Sequence, residues 1–396
     1  MHLSLQYNLR NVFVRWRATI ATTLSVAMVV TVYVLMQAMA GGLVKSSQNT
    51  GDPRNVMIVR KGSPAESSSV VTREQFRLIQ FLPMIARDDQ GQPLISADVV
   101  NLINLPRHTG GEANVTVRGL TPQGVALRPQ VKLASGRWFK PGQREVVVSR
   151  KMAERFANCA VGENFKTGLH KLTVVGWFEG GNSAFDSEIW MDADEARSVF
   201  DRDSFSSFLL RLSDTNDTAA LRARVESDKR LPLRVDSETA YYSEQTMTAK
   251  PLRFMGALLA TAMSIGAMFA AMNTMYASIA ARTREIGTLR VLGFRRRTVL
   301  GSFVAEGAML SLLGGLLGCA LALLAQAACL GFGVRFGTMN FNTFSEVVFQ
   351  FQITPPDLLQ GLVFALAVGV IGSLPPAIRA ARMPAIQALK IGRAHV

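Results

Sequence analysis

The residue types that most often carry enzymatic chemistry are few in this chain. No H-E-x-x-H motif, Cys/His cluster or G-x-S-x-G motif is present, and the four histidines are scattered at His2, His108, His170 and His395. The sequence therefore predicts neither a metal site nor a serine hydrolase. The phosphate-binding motif G-x-x-x-x-G-K-[ST] is also missing. We therefore expect that this chain neither binds a cofactor directly nor hydrolyses ATP.

One acidic residue, Glu306, lies inside the otherwise uncharged run Val299–Leu330. A charge within hydrocarbon is costly unless it is paired or near the interface, so an intramembrane acid suggests a functional role. Two interpretations stay open, namely proton or substrate transfer and a structural role as an ion pair or a helix cap. Basic residues close to the start of the run favour an ion pair with Arg282, Arg284 or Arg295.

A short basic segment, Arg282–Thr298, separates two long apolar runs. Loops rich in Lys and Arg stay in the cytoplasm, so an ordinary positive-inside connector is one interpretation. Within the segment, Ile286, Leu289 and Leu292 recur every third residue, which predicts a short amphipathic helix. The apolar side of this helix needs a surface to pack against. We expect that surface to be either lipid headgroups or a partner protein.

Four apolar runs are long enough to cross a bilayer, for which about 20 residues suffice. They are Ala18–Ala40, Phe254–Ala281, Val299–Leu330 and Leu358–Ile378. Ala38-Met39-Ala40 resembles a signal-peptide cleavage site, but the first run has 23 residues, more than the 7–15 or so of a signal peptide. We therefore expect it to be retained. The positive-inside rule then predicts four spans with both termini cytoplasmic.

The net charge of +14 is concentrated beside the apolar runs. Residues 41–250 carry 28 basic and 25 acidic side chains, whereas the rest of the chain carries 15 basic and 4 acidic ones. This distribution indicates membrane topology and attraction to anionic lipid, and it argues against nucleic-acid binding.

The sequence of residues 41–250 predicts a large extracytoplasmic α+β domain between the first and second spans. The predicted strands are Asn55–Arg60, Asn114–Arg118, Glu145–Ser149, Leu172–Trp177 and Ser207–Leu212. The predicted helices are Thr72–Phe81, with a capping box of Thr72 and Gln75, and Arg150–Ala157, Ala193–Phe200 and Thr218–Lys229. Cys159 is its only cysteine, so no internal disulfide is expected.

Helix length and glycine spacing give two further expectations. Phe254–Ala281 has 28 residues, or about 42 Å as a helix, so it must tilt or extend through Lys250–Arg253 into the outer domain. Gly314, Gly315 and Gly318 allow close helix approach. Packing within the chain and dimerisation explain these glycines equally well.

Two segments carry a family resemblance. Arg284–Gly293 (REIGTLRVLG), followed by Glu306-Gly307 and by Leu312–Gly318, closely resembles the signature of the MacB/FtsX-type ABC transporter permeases. The C-terminal segment Pro376–Leu389 resembles the closing motif of the same family, and its marker residues are Pro376, Arg379, Pro384 and Leu389. More loosely, Val117–Pro122 and the strands near it resemble the MacB-type periplasmic core.

The resemblance implies a layout along the whole chain. The expected parts are an N-terminus and first span (1–40), a periplasmic core domain (41–250) with a second lobe within about 120–200, and an FtsX-like permease domain (251–396). The last part holds spans two to four, a cytoplasmic coupling loop (282–298) and an outer loop (331–357).

The resemblance also implies a function. The chain is expected to be a permease subunit of the bacterial inner membrane that passes motion from a pair of separate ATPase subunits, which hold ATP-Mg, to the outer domain. The implied ATPase-coupling residues are Arg284, Glu285, Ile286, Gly287, Leu289, Arg290 and Gly293. Glu285 is the expected polar anchor, Ile286 and Leu289 the apolar anchors, while Gly287 and Gly293 permit close approach and helix termination.

Other partners and the cargo follow only in outline. A second permease copy or paralogue is expected, and a periplasmic adaptor with an outer-membrane channel is a further possibility in this family. Efflux of a drug or peptide, extraction of a lipid or lipoprotein, and regulation of cell-wall hydrolases without transport all occur among its members. The alternative from another class is a membrane signalling or scaffold protein.

Overall fold

The chain folds into two compact units. This computed structural model describes residues 16–245, 249–331, 336–339, 346–349 and 352–383. The helical unit comprises the chain up to Ala40, residues 251–334 and the chain from Phe351 onward. The sheet domain comprises Gly41–Lys250 and residues 335–350.

Among the described residues, four helices are long and apolar enough to cross a membrane. They are α1 (Trp16–Gln48), α8 (Ala249–Ala281), α10 (Arg296–Gly331) and α11 (Pro355–Arg382). Each contains one predicted span and extends beyond it. The predicted spans leave out the flanking charged residues, whereas backbone hydrogen bonding carries a helix through charged residues outside the hydrocarbon. Lys250–Arg253 belong to α8, so this helix begins before its apolar run.

Glycines bring the four helices into close contact. A Cβ atom added at Gly318 of α10 would lie 2.6 Å from the carbonyl oxygen of Ala27 in α1. One added at Gly314 would lie 2.8 Å from the Thr23 carbonyl oxygen, and one at Gly315 would lie 2.7 Å from Ala365 Cβ in α11. All three glycines are buried. They therefore serve packing within the chain, and their faces are not open for a second copy.

The sheet domain is built on one ten-stranded sheet. Its strands are β1 (Asn55–Arg60), β2 (Ile95–Pro106), β3 (Glu112–Leu120), β4 (Lys132–Gly136), β5 (Glu145–Ser149), β6 (Asn164–Thr167), β7 (His170–Glu179), β8 (Glu188–Asp192), β9 (Ser207–Arg211) and β10 (Leu233–Ser237). Their order is β10-β1-β9-β2-β3-β8-β5-β7-β4, with β6 paired to β7. Pairing is antiparallel except between β3 and β8 and between β5 and β7.

Helices and apolar side chains cover both faces of this sheet. The helices are α2 (Arg73–Ile79), α3 (Pro122–Ala126), α4 (Arg150–Ala153), α5 (Ala193–Val199), α6 (Thr218–Ser227) and α7 (Glu238–Gln245). Successive residues of a strand point to opposite faces. In β1, Val56 and Ile58 accordingly join one core, whereas Met57 and Val59 join the other.

The structure locates every predicted strand and helix of this domain, and it confirms the Thr72–Gln75 capping box. The helix predicted over Arg150–Ala157 is wrong in its second half, because it ends at Ala153. Beyond that point the Ala157 amide donates to the Pro106 carbonyl oxygen. Pairing with the end of β2 therefore replaces the last helical turn.

Residues 132–192 supply β4 to β8, which form one half of the sheet. Because β8 pairs directly with β3, this half continues the same sheet. Within residues 335–350, strands β11 (Phe336–Met339) and β12 (Glu346–Phe349) pair antiparallel. They lie in the stretch predicted only as an outer loop.

Candidate functional site

The segment between the second and third long helices forms a separate short helix, α9 (Thr283–Val291). The Thr283 hydroxyl donates to the carbonyl oxygens of Ile279 and Ala280, which lie in the last turn of α8. The chain then turns at Arg282, whose carbonyl oxygen accepts from the Ile286 amide. The amphipathic helix predicted for this segment is thus present.

A glycine ends α9. Gly293 has φ +91, a conformation that side chains disfavour. Its amide donates to the Arg290 carbonyl oxygen, and the Phe294 amide donates to the Leu289 carbonyl oxygen. These two bonds form a Schellman motif, which fixes the end of the helix. Gly293 therefore terminates α9 as the sequence predicts.

The inner face of α9 is attached to the helical unit. Ile286 is only 3% exposed and lies in a cluster with residues of α8, α10 and α11, namely Met275, Ile279, Val299, Phe303, Ala377 and Ala380. Gly287 is buried too. This corrects the prediction of Ile286 as an apolar anchor for a partner. Its side chain holds α9 on the chain's own helices, because they offer it a complete apolar pocket.

The outer face of α9 is exposed and mixed in character. Leu289 and Arg290 are half-buried, and the Arg290 guanidinium donates to the Phe294 carbonyl oxygen. Val291 is 63% exposed and Leu292 is 69% exposed. The other exposed residues of the face are Arg284, Glu285 and Thr288. An exposed apolar pair beside charged side chains suits contact either with a partner protein or with lipid headgroups.

Glu306 forms the ion pair that the sequence predicts, and its partner is Arg282. Arg282 Nη1 lies 3.1 Å from Glu306 Oε2, and the two residues are 7% and 6% exposed. A buried charge of this kind is tolerated when it is paired. The pair joins the turn before α9 to the interior of α10, so it fixes the base of α9 a second time.

The two family motifs meet at this base. Ala377 and Ala380, from the C-terminal motif, lie in the same cluster as Ile286 of the first motif. Pro376 is buried within α11, and the Arg379 guanidinium lies 5.7 Å from the centre of the Tyr276 ring in α8. Pro384 and Leu389 lie outside the described residues.

A second charged cluster, which the sequence did not predict, lies inside the sheet domain. Arg118 of β3 makes two-pronged ion pairs with Glu66 and Glu188, at 2.8 Å from the nearest oxygen of each. Asp98 pairs with the fully buried Arg128 at 2.5 Å. Burial opposes the charge of Arg118, but the two glutamates outweigh it and raise its pKa well above the ordinary value. The sequence feature that could have revealed this cluster is Arg118, an arginine between the apolar residues of a strand.

Glu238, the first residue of α7, borders this cluster. Its Oε2 accepts from the Asp52 amide and the Asn55 side-chain amide, each at 2.9 Å. Burial raises the pKa of Glu238 to about 7, although the Arg128 charge opposes that effect. The carboxyl thereby links the segment that follows α1 to the helix that precedes α8.

The described residues contain no group of three or more His, Cys, Asp or Glu side chains placed to hold a metal ion. The arrangement of the helical unit instead suits mechanical attachment. It comprises a short helix fixed at its inner face, with an exposed end.

Comparison with known protein families shows to which family this chain belongs. Four described helices long and apolar enough to cross a membrane, with an α+β domain between the first two, indicate a multi-spanning membrane protein. The family model for the MacB-like periplasmic core domain matches residues 18–228, and the model for the FtsX-like permease C-terminal domain matches residues 257–385. The chain belongs to the MacB/FtsX-like ABC transporter permease family.

Similar proteins include MacB, a macrolide export ATP-binding/permease protein of Rhodopseudomonas palustris, which is 26% identical over 75% of this chain and 47% of its own length. An uncharacterized ABC transporter permease of Bacillus subtilis, YknZ, is 25% identical over 72% of each chain. The chain thus spans about half the length of the first of these relatives.

Two solved structures are similar to the chain over part of its length. The periplasmic region of MacB from Actinobacillus actinomycetemcomitans has a TM-score of 0.38 and 14% identity, covering 52% of this chain and 97% of that one. The extracellular domain of YknZ has a TM-score of 0.36 and 15% identity, covering 46% and 99%.

Proposed function

We propose that this chain is the permease subunit of an ABC transporter of the bacterial inner membrane. It transmits the ATP-driven motion of a separate ATPase subunit to its sheet domain, which then exports or extracts an amphiphilic cargo. Under this proposal both termini are cytoplasmic, as the positions of the basic segments suggest. ATP-Mg is held by the ATPase and not by this chain.

The observation that carries the proposal is the attachment of α9. Its inner face is fixed by Ile286 and by the Arg282–Glu306 pair, while Val291 and Leu292 stay exposed at its far end. A partner that binds the exposed end therefore moves a helix that is attached to α8, α10 and α11. The receiving surface that we propose consists of Arg284, Glu285, Val291 and Leu292, with Leu289 and Arg290 beneath it.

The continuity of α8 supports transmission along the chain. This helix runs from Ala249 to Ala281 in 33 residues, a length of about 50 Å. The turn before α9 follows its last residue, and α7 of the sheet domain ends at Gln245, just ahead of its first. A continuous helix carries displacement along its own length better than a flexible linker would.

The partners that we propose are those that membership of the family suggests. Several relatives are named as combined ATP-binding and permease proteins, whereas YknZ is named as a permease. We propose two copies of the ATPase and a second permease copy or paralogue, and in some settings a periplasmic adaptor with an outer-membrane channel. Membrane lipid surrounds the four long helices.

The proposed cargo is a drug, peptide, lipid or lipoprotein. Two relatives are named as exporters of macrolides and of pyoverdine, which are mid-sized molecules rather than ions. The alternatives are a regulator of cell-wall hydrolases and a signalling scaffold. Coupling of ATP turnover to loss of cargo from the membrane separates a transporter from both of them.

Co-purification tests the proposal. The tagged chain is extracted in mild detergent, and the bound ATPase subunit is quantified for wild type, for Leu292→Asp and for the control Leu169→Asp. Leu169 is a fully exposed leucine of the sheet domain, so both variants place a new charge at an exposed leucine. We expect the ATPase to be lost from Leu292→Asp alone. Absence of an ATPase from every sample, even after gentle crosslinking, would refute the transporter proposal.

A further inference from the structure

The helical unit contains a partly open cavity of about 70 Å³ where its four long helices meet. Thr22 of α1, Thr274 and Ser278 of α8, Ser311 of α10 and Ser373 of α11 all line it. The carboxyl-bearing residue Glu306 lines it as well. Ser and Thr are common where membrane helices pack, and here several of them also surround a space.

The hydrogen bonds of these hydroxyl groups decide what the cavity can hold. Ser311 donates to the Ala308 carbonyl oxygen and Ser373 donates to the Val370 carbonyl oxygen, each at 3.0 Å within its own helix. Their hydrogens are therefore used, and their oxygen lone pairs remain available. The cavity is thus rich in acceptors, and it suits a guest that donates hydrogen bonds.

Ser278 is a second, separate sign that the cavity holds a hydrogen-bonding guest. This residue is 7% exposed, and its hydroxyl oxygen has no hydrogen-bond partner among the described residues. A buried hydroxyl without a partner is unfavourable, and ordered water commonly satisfies such groups. A cavity of about 70 Å³ exceeds the roughly 10–15 Å³ that a cavity needs to hold a water molecule.

We propose that this cavity is a water site. A small cluster of water molecules donates hydrogen bonds to Ser278, Ser311, Ser373 and Glu306, and it bridges α8, α10 and α11 beside the Arg282–Glu306 pair. Arg282 already neutralises the Glu306 carboxylate, so the guest need not be a cation. Water, a neutral donor of hydrogen bonds, is therefore the guest that we propose. Under this proposal, water molecules bridge α8, α10 and α11 at the cavity. Water rearranges more easily than packed side chains do.

Cysteine reactivity in the full-length membrane protein tests the water site. Cys159, Cys319 and Cys329 are first replaced by serine. Ser278→Cys, Ser311→Cys and Ser373→Cys then place one thiol each at the cavity, on three different helices. The matched controls Ala267→Cys, Ala322→Cys and Ala365→Cys lie on the same helices at sites that are 4% exposed or less and that do not line the cavity.

The probe is 2-aminoethyl methanethiosulfonate, and labelling is followed by mass spectrometry in membrane vesicles. Only the thiolate reacts, and a thiol away from water ionises poorly. We expect each cavity position to react at least about tenfold faster than the control on its own helix. Comparable rates within the pairs, whether slow or fast, would overturn the proposal.

Reaction at one cavity position alone would also overturn it, because a shared water cluster must reach all three helices. A variant that fails to reach the membrane in wild-type amount is set aside, and the two remaining pairs decide the outcome. The measurement involves no ATPase, so its result is separate from that of the proposed transport function.

Discussion

The substitution Gly318→Ala tests how closely α1 and α10 pack. The new methyl group would lie 2.6 Å from the Ala27 carbonyl oxygen and 2.9 Å from Val30 Cβ. Because the first contact is with backbone, α1 must retreat by several tenths of an ångström. Overpacking of this kind costs about 1–3 kcal/mol, and the better helix propensity of Ala offsets less than about 1 kcal/mol of it.

Gly301→Ala is the matched control, since it lies on the same helix and its added methyl group meets nothing within 4 Å. This change should stabilise the protein by about 0.5–1 kcal/mol. We expect the Tm of Gly318→Ala to be several degrees below that of Gly301→Ala, at about 2–4 °C per kcal/mol. The assay heats the purified protein in mild detergent and measures by size exclusion the fraction that stays monodisperse. Equal Tm values would refute the packing of α1 against α10.

Two further predictions concern buried charges. Arg282→Met should destabilise the protein by about 3–5 kcal/mol because it leaves Glu306 buried and unpaired, whereas Arg282→Met with Glu306→Leu should recover most of that loss. Heat denaturation of the single and double variants in detergent measures both losses of stability. Equal losses in the two variants would contradict the pairing. In the sheet domain, burial raises the pKa of Glu238 to about 7 from an ordinary value of 4.5. The folded state therefore binds this proton more tightly, so its stabilising effect is complete below about pH 4.5 and is lost as the pH rises through about 7, with a change of about 3 kcal/mol. Heat denaturation between pH 5 and pH 8 should show this slope in wild type and a flatter one in Glu238→Gln, and parallel slopes would contradict the shifted pKa.

The sequence predicts the membrane architecture well because its signals are local. Apolar length identifies the four long helices, and a glycine after an amphipathic stretch identifies the end of α9 at Gly293. The ion pair of Glu306 was also predictable, because a buried acid needs a partner and the nearby basic residues limited the choice. Which arginine takes that role depends on the turn between α8 and α9.

What the sequence could not predict depends on contacts between distant segments. Periodicity places Ile286, Leu289 and Leu292 near one another, but it does not reveal that Ile286 faces the chain's own helices and that Leu292 faces outward. Strand β2 escaped prediction because it carries Asp98, a poor strand residue. The buried Asp98 is acceptable there because Arg118 and Arg128, 20 and 30 residues later, pair with it.

Site-directed crosslinking between α9 and the ATPase subunit tests the central claim most directly. In a background whose native cysteines are replaced by serine, Leu292→Cys and the buried control Ile286→Cys are each treated with a short thiol-to-amine crosslinker in native membranes. The account predicts an ATPase adduct with Leu292→Cys and none with Ile286→Cys. An adduct at the buried position alone, or at neither position while the ATPase still co-purifies, would contradict the role of the exposed end of α9.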